Sequence, residues 1–298
     1  MRASIDIRGL SKTYARSKTP ALDNLTLQVH LGEVYGFLGA NGAGKSTTIR
    51  LLLNFIQPTH GTATIMGHDV VRSTVEAKRS IGYLSGEVAL WPKVTGNEIF
   101  AYLGNLASQN DSTYIKELIR RFEADPHKKI GELSKGNKQK IGIITALMHK
   151  PAVLILDEPT SGLDPLMQEV FYDCVREAAA NGTAVFVSSH NLAEAQRMCD
   201  RIGIIKHGKL IHEQDIKDST DLASTTMRIT LAHQKDATEL KKHRALKVIS
   251  AEGATLVVRP SGSIATALGA ISHYPVQSFS TEQLNLEDEF LEYYGDGA

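Results

Sequence analysis

The sequence has little cysteine and no long apolar run. Cys174 and Cys199 are its 2 cysteines among 298 residues. Neither has metal-ligand spacing, so we expect buried thiols in a reducing compartment rather than a disulfide framework. The apolar runs reach about six residues, against the roughly 20 that cross a bilayer, and Met1–Asp6 lacks the apolar core of a secretory leader. These features predict no direct insertion into a membrane.

The sequence also has no excess of either charge. It contains 33 basic and 33 acidic residues, for a formal net charge of +0. We therefore expect no nucleic-acid partner, because proteins that bind nucleic acid usually carry an excess of positive charge. The composition, 42% apolar and 22% charged, is that of an ordinary folded protein. The length suits one large domain and a small one.

One stretch near the start has the pattern of a phosphate-binding loop, G-x-x-x-x-G-K-[ST]. It reads Gly39-Ala40-Asn41-Gly42-Ala43-Gly44-Lys45-Ser46, and we include Thr47 in the binding loop. Glycines allow consecutive N–H groups to converge on one anion, and a helix that begins near Lys45 adds the positive end of its dipole. Lys45 supplies a cation for the outer phosphates, and the Ser46 hydroxyl is a suitable ligand for Mg²⁺.

The run Ala152–Leu156 predicts a strand buried on both faces and central in a parallel sheet. It ends in Asp157 and Glu158, two carboxylates that are costly to bury unless a cation or a proton accompanies them. Asp157 suits a partner of Mg²⁺, and Glu158 suits a base that orients water on the γ-phosphate. A predicted strand at 184–188 should lie beside this one, which favours a phosphate contact for His190 over a purely structural role.

Local signals predict several other elements. Alternating residues at 4–10 and 25–30 indicate an antiparallel layer, and helical spacing indicates two surface helices between Gly96 and Phe122. Ser134 is placed to cap the helix that follows it. Asn191, with Glu194 three residues on, resembles a capping box. Tyr14 is equally consistent with stacking on a purine or covering a sheet edge, and Trp91 with an interaction surface or packing under a helix.

The last third of the chain differs in character. A polar linker is predicted at about 215–226, followed by strand, helix, strand, strand, helix and strand between Met227 and Ser280, and a final helix at Leu286–Tyr294. The order β-α-β-β-α-β is that of the split-βαβ, ferredoxin-like unit. It holds no catalytic motif, so we expect a regulatory or partner-binding domain.

Taken together, the motifs resemble the ATP-binding subunit of an ABC transporter across residues 4 to about 215. The phosphate loop, the signature at Leu133–Gln139, the strand ending in Glu158, the D-loop around Asp164 and the switch histidine His190 follow in the family's order. The resemblance implies an α/β fold: a P-loop NTPase (ABC ATPase) domain at 1–215, with an antiparallel β subdomain and a helical subdomain at about 86–150. A linker at 216–226 and a small α+β ferredoxin-like domain at 227–298 follow.

The family also implies a mode of action. Two subunits pair head to tail, so a homodimer would hold ATP and Mg²⁺ between the phosphate loop of one chain and Ser134 and Gly136 of the other. The resemblance assigns Tyr14 to adenine stacking. An integral membrane permease would be the further partner, which places the chain in the cytoplasm at the inner face of the membrane.

Two motifs depart from the family's pattern. The signature is usually LSGGQ, whereas this chain has Leu133-Ser134-Lys135-Gly136-Asn137; the serine and the second glycine remain. A glutamine that touches Mg²⁺ is usual at the position of Gly86. Either the neighbouring Glu87 takes over that role, or water completes the metal's coordination.

The loop at 83–87, the variant signature and the extra domain are similar to the branch that serves ABC-2-type exporters, including drug- and antibiotic-resistance pumps. The alternative is a non-transport ATPase of the superfamily, in translation or DNA repair. Such proteins carry tandem cassettes, coiled coils or zinc insertions, which this sequence lacks. A GTPase is not supported, because Asn137-Lys138-Gln139-Lys140 lacks the aspartate of the guanine-reading motif.

Overall fold

The computed structural model describes residues 3–15, 17–106, 111–216 and 225–283. The chain divides into two compact units, with the boundary between Gln214 and Asp215. Each unit has its own cluster of buried apolar side chains.

The first unit contains ten strands and seven α-helices among its described residues. The strands are β1 (Ile5–Lys12), β2 (Leu22–Val29), β3 (Val34–Leu38), β4 (His60–Ile65), β5 (His68–Asp69), β6 (Ile81–Leu84), β7 (Val153–Asp157), β8 (Ala184–Ser189), β9 (Arg201–Lys206) and β10 (Lys209–Asp215). The helices are α1 (Lys45–Leu52), α2 (Thr74–Arg79), α3 (Gly96–Leu106), α4 (Ser112–Arg121), α5 (Lys135–Leu147), α6 (Pro165–Ala180) and α7 (Leu192–Met198).

These strands form two sheets. One has the order β2-β1-β4-β5, with antiparallel pairing throughout, and is the predicted antiparallel layer. The other has the order β10-β9-β3-β8-β7-β6 and pairs β9, β3, β8, β7 and β6 in parallel. As predicted, β7 is an inner strand, and residues 153–156 are 0–1% exposed because both sheet faces are covered.

Parallel strands bring their carboxyl ends to one edge of the sheet. Asp157 at the end of β7 lies opposite Ser188 of β8, and Leu38 at the end of β3 lies opposite Ser189. The loops after β3, β7 and β8 therefore start side by side, which is where open α/β sheets usually bind ligands.

The helix predictions hold with one addition and one correction. The two surface helices are α3 and α4, and Ser134 caps α5 by accepting a hydrogen bond from the Asn137 backbone N–H. The six-residue helix α2 has too short an apolar pattern to have been predicted.

The capping-box interpretation of α7 is wrong in its second half. Asn191 does cap the helix, but the Glu194 carboxylate accepts from the hydroxyls of Thr160 and Ser189 instead of returning to the cap. The cap's own backbone N–H donates to the Ser189 hydroxyl. Glu194 thus joins the loop after β7 to the end of β8.

The two cysteines are buried free thiols, as predicted. Burial raises the pKa of the Cys174 thiol to about 12, and burial also raises the pKa of Cys199. Both thiols therefore stay protonated and unreactive at neutral pH.

The second unit has the predicted order of elements. They are β11 (Thr225–Leu231), α8 (Gln234–Leu240), β12 (Leu246–Glu252), β13 (Thr255–Pro260), α9 (Ile264–Ile271) and β14 (Val276–Gln283). The sheet order is β12-β13-β11-β14, and all three pairings are antiparallel. The predicted helix at Leu286–Tyr294 and residues 217–224 of the predicted linker lie outside the described residues.

Across the described ranges, no helix is both long enough and apolar enough to span a bilayer.

Candidate functional site

A cavity of about 790 Å³ opens at the edge where β3, β7 and β8 end. Seven residues of the predicted loop line it: Ala40, Asn41, Gly42, Gly44, Lys45, Ser46 and Thr47. Glu87, Asp157, Glu158 and His190 line it too. The fold therefore brings into one cavity residues that lie far apart in the sequence.

The phosphate loop is built between β3 and α1, as the pattern predicts. Gly42 and Gly44 have φ of +83° and +121°, which glycine adopts without steric cost. Gly39 does not line the cavity but is required for packing, because a Cβ there would lie 2.7 Å from the Ile205 carbonyl oxygen. Ala43 likewise does not line the cavity, and its side chain is buried.

Lys45 is the first residue of α1 and is only 5% exposed. Its ammonium group donates to the carbonyl oxygens of Gly39 at 2.6 Å and Ala40 at 3.3 Å. Since a buried ammonium needs compensating acceptors, the loop's own carbonyls hold this cation in place.

Asp157 closes β7, and Ser188 of β8 fixes its carboxylate. The Ser188 hydroxyl donates to Asp157 Oδ1 at 2.6 Å. A Cβ at Gly86 would lie 3.7 Å from Asp157 Oδ2, an ordinary contact distance, so Gly86 lies directly beside that carboxylate. Burial raises the pKa of the neighbouring Tyr83, and the negative charge of Asp157 raises it further.

The Glu158 carboxylate lies close to two basic side chains of the cavity, Lys45 and His190. Its Oε2 lies 2.6 Å from His190 Nδ1, and its Oε1 lies 3.3 Å from Lys45 Nζ. Oε1 is buried and is at ion-pair distance from Lys45, but it accepts no hydrogen bond of good geometry. The residue also has φ of +46°, a left-handed conformation that costs energy for a glutamate.

Two further residues were predicted for the site, Tyr14 for the adenine and Glu87 for Mg²⁺. The Tyr14 hydroxyl is 3.4 Å from Thr47 Oγ1, so Tyr14 lies next to the loop, although it does not line the cavity. Glu87 lines the cavity, and its backbone carbonyl accepts from the Ser85 hydroxyl.

The signature residues that were assigned to the partner's ATP, Ser134 and Gly136, and Asp164 of the D-loop do not line this chain's own cavity in the described part of the chain. Ser134 and Gly136 are absent from the described residues that line the cavity, whereas Lys135 between them does line it. Asp164 caps α6 by accepting from the Met167 backbone N–H at 3.0 Å.

Ser188 is the main site residue that sequence reasoning missed. Its hydroxyl donates to Asp157 and accepts from the Glu158 backbone N–H at 3.2 Å. A polar pair, Ser188-Ser189, at the end of an apolar strand was the available signal.

A phosphate loop between a buried strand and a helix, with two carboxylates at the end of a nearby parallel strand, defines a P-loop nucleoside triphosphatase fold. Comparisons with known proteins identify the kind. The family model for the ABC transporter matches residues 22–161.

Curated relatives match over nearly the whole chain. The uncharacterized ABC transporter ATP-binding protein YhaQ of Bacillus subtilis (strain 168) is 32% identical over 300 residues, covering 98% of each chain. The daunorubicin/doxorubicin resistance ATP-binding protein DrrA of Streptomyces peucetius is 33% identical over 308 residues, covering 97% of this chain and 91% of DrrA.

A solved structure, described as the ATP binding subunit of an ABC transporter, superposes with a TM-score of 0.67. It is 29% identical and covers 72% of this chain and 91% of its own. The chain belongs to the family of ABC transporter ATP-binding proteins, and its enzymatic activity is that of an ATPase.

Proposed function

We propose that this protein is the ATP-hydrolysing subunit of an ABC-2-type exporter. The observation that carries the proposal is the position of Glu158, whose carboxylate faces Lys45 and His190 inside one cavity. Among the relatives, one is a bacitracin transport ATP-binding protein, BcrA of Bacillus licheniformis, 37% identical over 220 residues. Together with DrrA it supports export, including drug export, as the use of the ATPase.

The residues of the cavity suit the parts of ATP hydrolysis. The N–H groups of Gly39–Thr47 and the Lys45 ammonium would bind the phosphates. Glu158 would act as the base that orients water on the γ-phosphate, and His190 would stabilise that phosphate. Tyr14, beside Thr47, would stack on the adenine.

The donor set fits Mg²⁺. Ser46 and Asp157 line the same cavity, and Gly86, which carries no side chain, lies beside the Asp157 carboxylate. Hydroxyl and carboxylate oxygens are what Mg²⁺ prefers, and the ion would neutralise charge on the phosphates. Glu87 is the further candidate ligand, in place of the family's glutamine.

For Glu87→Ala we expect hydrolysis to need more Mg²⁺ for half-maximal rate, and coupling to the membrane partner to weaken. The reason is that Glu87→Ala removes the carboxylate next to Gly86, the position of the family's magnesium-binding glutamine. A magnesium titration of ATPase activity, with Glu76→Ala as the matched control on α2, measures the first effect. An unchanged magnesium requirement together with full coupling would assign the position to water.

The quaternary proposal is a head-to-tail homodimer. Ser134 and Gly136 do not line their own chain's cavity, which is compatible with their serving the partner's ATP, and Asp164 would lie in the D-loop between the two sites. ATP would close the dimer, and hydrolysis would release it, because the contacts to the γ-phosphate exist in only one state.

The membrane partner would be an integral permease. Trp91 and Tyr102 pack edge to face with ring centroids 5.7 Å apart, and both are more than half exposed, at 56% and 57%. An exposed aromatic pair favours an interaction surface. The protein would then work in the cytoplasm, peripheral to the inner face of the membrane.

We propose the ATP-binding domain at 1–215, with its helical subdomain at about 86–150, the linker at 216–226 and a further domain at 227–298. The strand order β12-β13-β11-β14 supports a ferredoxin-like fold for that domain. Its role would be regulation or partner binding.

The test of the ATPase assignment is Glu158→Gln. Because a positioned base contributes roughly 10²–10⁴-fold, we expect turnover to fall at least about 100-fold while ATP still binds. Scattering of the ATP-loaded variant, alone and with its membrane partner, should report a dimer. Unchanged turnover would remove Glu158 from its role, and monomers in both samples would exclude the ATP-closed dimer.

The same variant tests the export assignment. Purified from solubilised membranes with ATP present, it should retain a protein with several membrane spans. Recovery of a ribosomal or other soluble partner instead would favour the alternative, a non-transport ATPase of the superfamily.

A further inference from the structure

The first turns of α5 contact the segment that follows Glu158 within the same chain. Gln139 is 2% exposed and donates from Nε2 to the Pro159 carbonyl oxygen at 2.7 Å. Gly136 packs so closely that an added Cβ would lie 2.7 Å from the Gly162 carbonyl oxygen. The start of α5 and residues 159–162 are therefore in direct contact.

Lys135 makes the third of these contacts. Its ammonium donates to the Ser161 hydroxyl at 3.2 Å. Its Cγ, Cδ and Cε atoms lie 3.4–3.5 Å from the Cβ position of Gly162, so the aliphatic stem lies along that glycine. Lys135 and Ser161 both line the cavity that holds Glu158.

The position of Lys135 is unfavourable for the helix itself. It is the first residue of α5, and the first turn has no acidic residue. A cation there opposes the helix dipole, which favours negative charge at the N-terminus. The family's signature usually has glycine at this position. The stability of the helix therefore does not explain a lysine at this position, whereas the hydrogen bond to Ser161 does explain it.

Ser161 is in turn part of the backbone turn that begins at Glu158. The Ser161 N–H donates to the Glu158 carbonyl oxygen at 3.2 Å, and Glu158 has φ of +46°. A glutamate keeps a left-handed conformation only when neighbouring contacts fix it. The hydrogen bond from Lys135 restrains the residue that closes this turn.

We infer that Lys135 is a positioning residue for Glu158. It holds Ser161, and through Ser161 it holds the turn that directs the Glu158 carboxylate into the cavity. This inference rests on the proposed role of Glu158 as the base, and it gives the departure from the usual signature a function within one chain.

The test is a double-mutant cycle on the full-length protein with Lys135→Ala, Ser161→Ala and both together. The Lys135–Ser161 hydrogen bond is exposed to solvent, so its net contribution is at the low end of the usual range, and each single variant should lower kcat by about two- to fivefold. The KM for ATP should stay within about twofold, because the proposed phosphate contacts come from Gly39–Thr47 and the Lys45 ammonium and not from these two groups. The double variant should be no slower than the singles, since both remove the same restraint.

Two further variants separate positioning from a general loss of structure. Lys135→Arg keeps a donor and should restore most of kcat. Lys140→Ala removes a lysine of the same helix that does not line the cavity, and it should leave kcat unchanged. Losses that multiply in the double variant, or a raised KM with normal kcat, would overturn the inference.

Glu158→Gln distinguishes this inference from the function on which it rests. If that variant stays fully active, both are wrong. If it is inactive but Lys135 and Ser161 act independently, only the positioning role is wrong.

Discussion

At the scale of single residues, Gly39 shows how a motif position can act without touching a ligand. It does not line the cavity, yet the Ile205 carbonyl oxygen of β9 occupies the space that a side chain would need. Its φ is not in the left-handed region, so the requirement is steric and comes from a neighbouring strand rather than from a turn.

For Gly39→Ala we expect ATP affinity to fall by at least about tenfold, because the loop must move away from β9 and its N–H groups lose their alignment. Equilibrium titration with a fluorescent ATP analogue measures the change. Gly269→Ala is the control: nothing lies within 4 Å of that added Cβ, and its φ is ordinary. An unaltered affinity in Gly39→Ala would contradict the steric argument.

Most of the residues that line the cavity were predicted from the sequence as site residues, but the pairing of Glu158 with His190 was not. Lys45, Asp157 and Glu158 follow from local motifs, because each motif has a fixed relation to its strand or helix. The approach of His190 to Glu158 depends on the register of β7 against β8, which pairs Asp157 with Ser188. No local pattern encodes that register, and the role of Ser188 was missed for the same reason.

At the scale of elements, an ion pair joins α4 to α6. The Arg121 guanidinium donates to both carboxylate oxygens of Glu177, at 2.5 and 2.9 Å. This hydrogen bonding raises the pKa of Arg121. The Arg121 side chain is 17% exposed and Glu177 is 57% exposed, so solvent screens the pair in part.

We expect Glu177→Gln to lower the free energy of unfolding by about 0.5–1 kcal/mol, since exposed or half-exposed pairs contribute in that range. The loss should shrink in high salt, because screening already weakens the pair. Urea denaturation at low and high ionic strength measures it. Asp173→Asn breaks an i,i+3 ion pair within α6 and should lower the free energy of unfolding by less. An equal loss in both variants would show that the ion pair between α4 and α6 contributes no more than a pair within one helix.

Elements with a long pattern of apolar residues could be predicted from the sequence. A short element, and a side chain whose partners come from other parts of the fold, could not. Strands β7 and β8 begin with continuous apolar runs, as the sequence predicted, and α5 has a capping serine before it. Helix α2 has six residues, and only Ala77 is buried, so its pattern is no stronger than that of a loop. Glu194 met a capping rule in sequence, but tertiary hydroxyls at Thr160 and Ser189 competed for its carboxylate.

At the scale of the whole molecule, the described residues that line the cavity all lie in the first unit. The second unit has its own core, which includes Met227, Ile229, Leu256 and Val258. Ending the chain after Ile216 keeps β10 intact and removes the second core entirely.

This truncated chain should bind ATP with a Kd within about threefold of that of the full chain, because each unit buries its own apolar surface. Calorimetric titration measures the affinity, and circular dichroism confirms that the fragment is folded. A folded fragment that binds ATP much more weakly would show that the second unit contributes to the nucleotide site.

The arrangement around Lys45 bears on how the proposed phosphate site is charged. The Glu158 carboxylate lies 3.3 Å from the buried ammonium, so the chain itself supplies an anion at this position. If Lys45 binds the γ-phosphate as proposed, that phosphate would replace the carboxylate as the counter-ion of the ammonium. The displaced carboxylate is the one proposed to orient water, so binding of ATP and release of the base would be a single event.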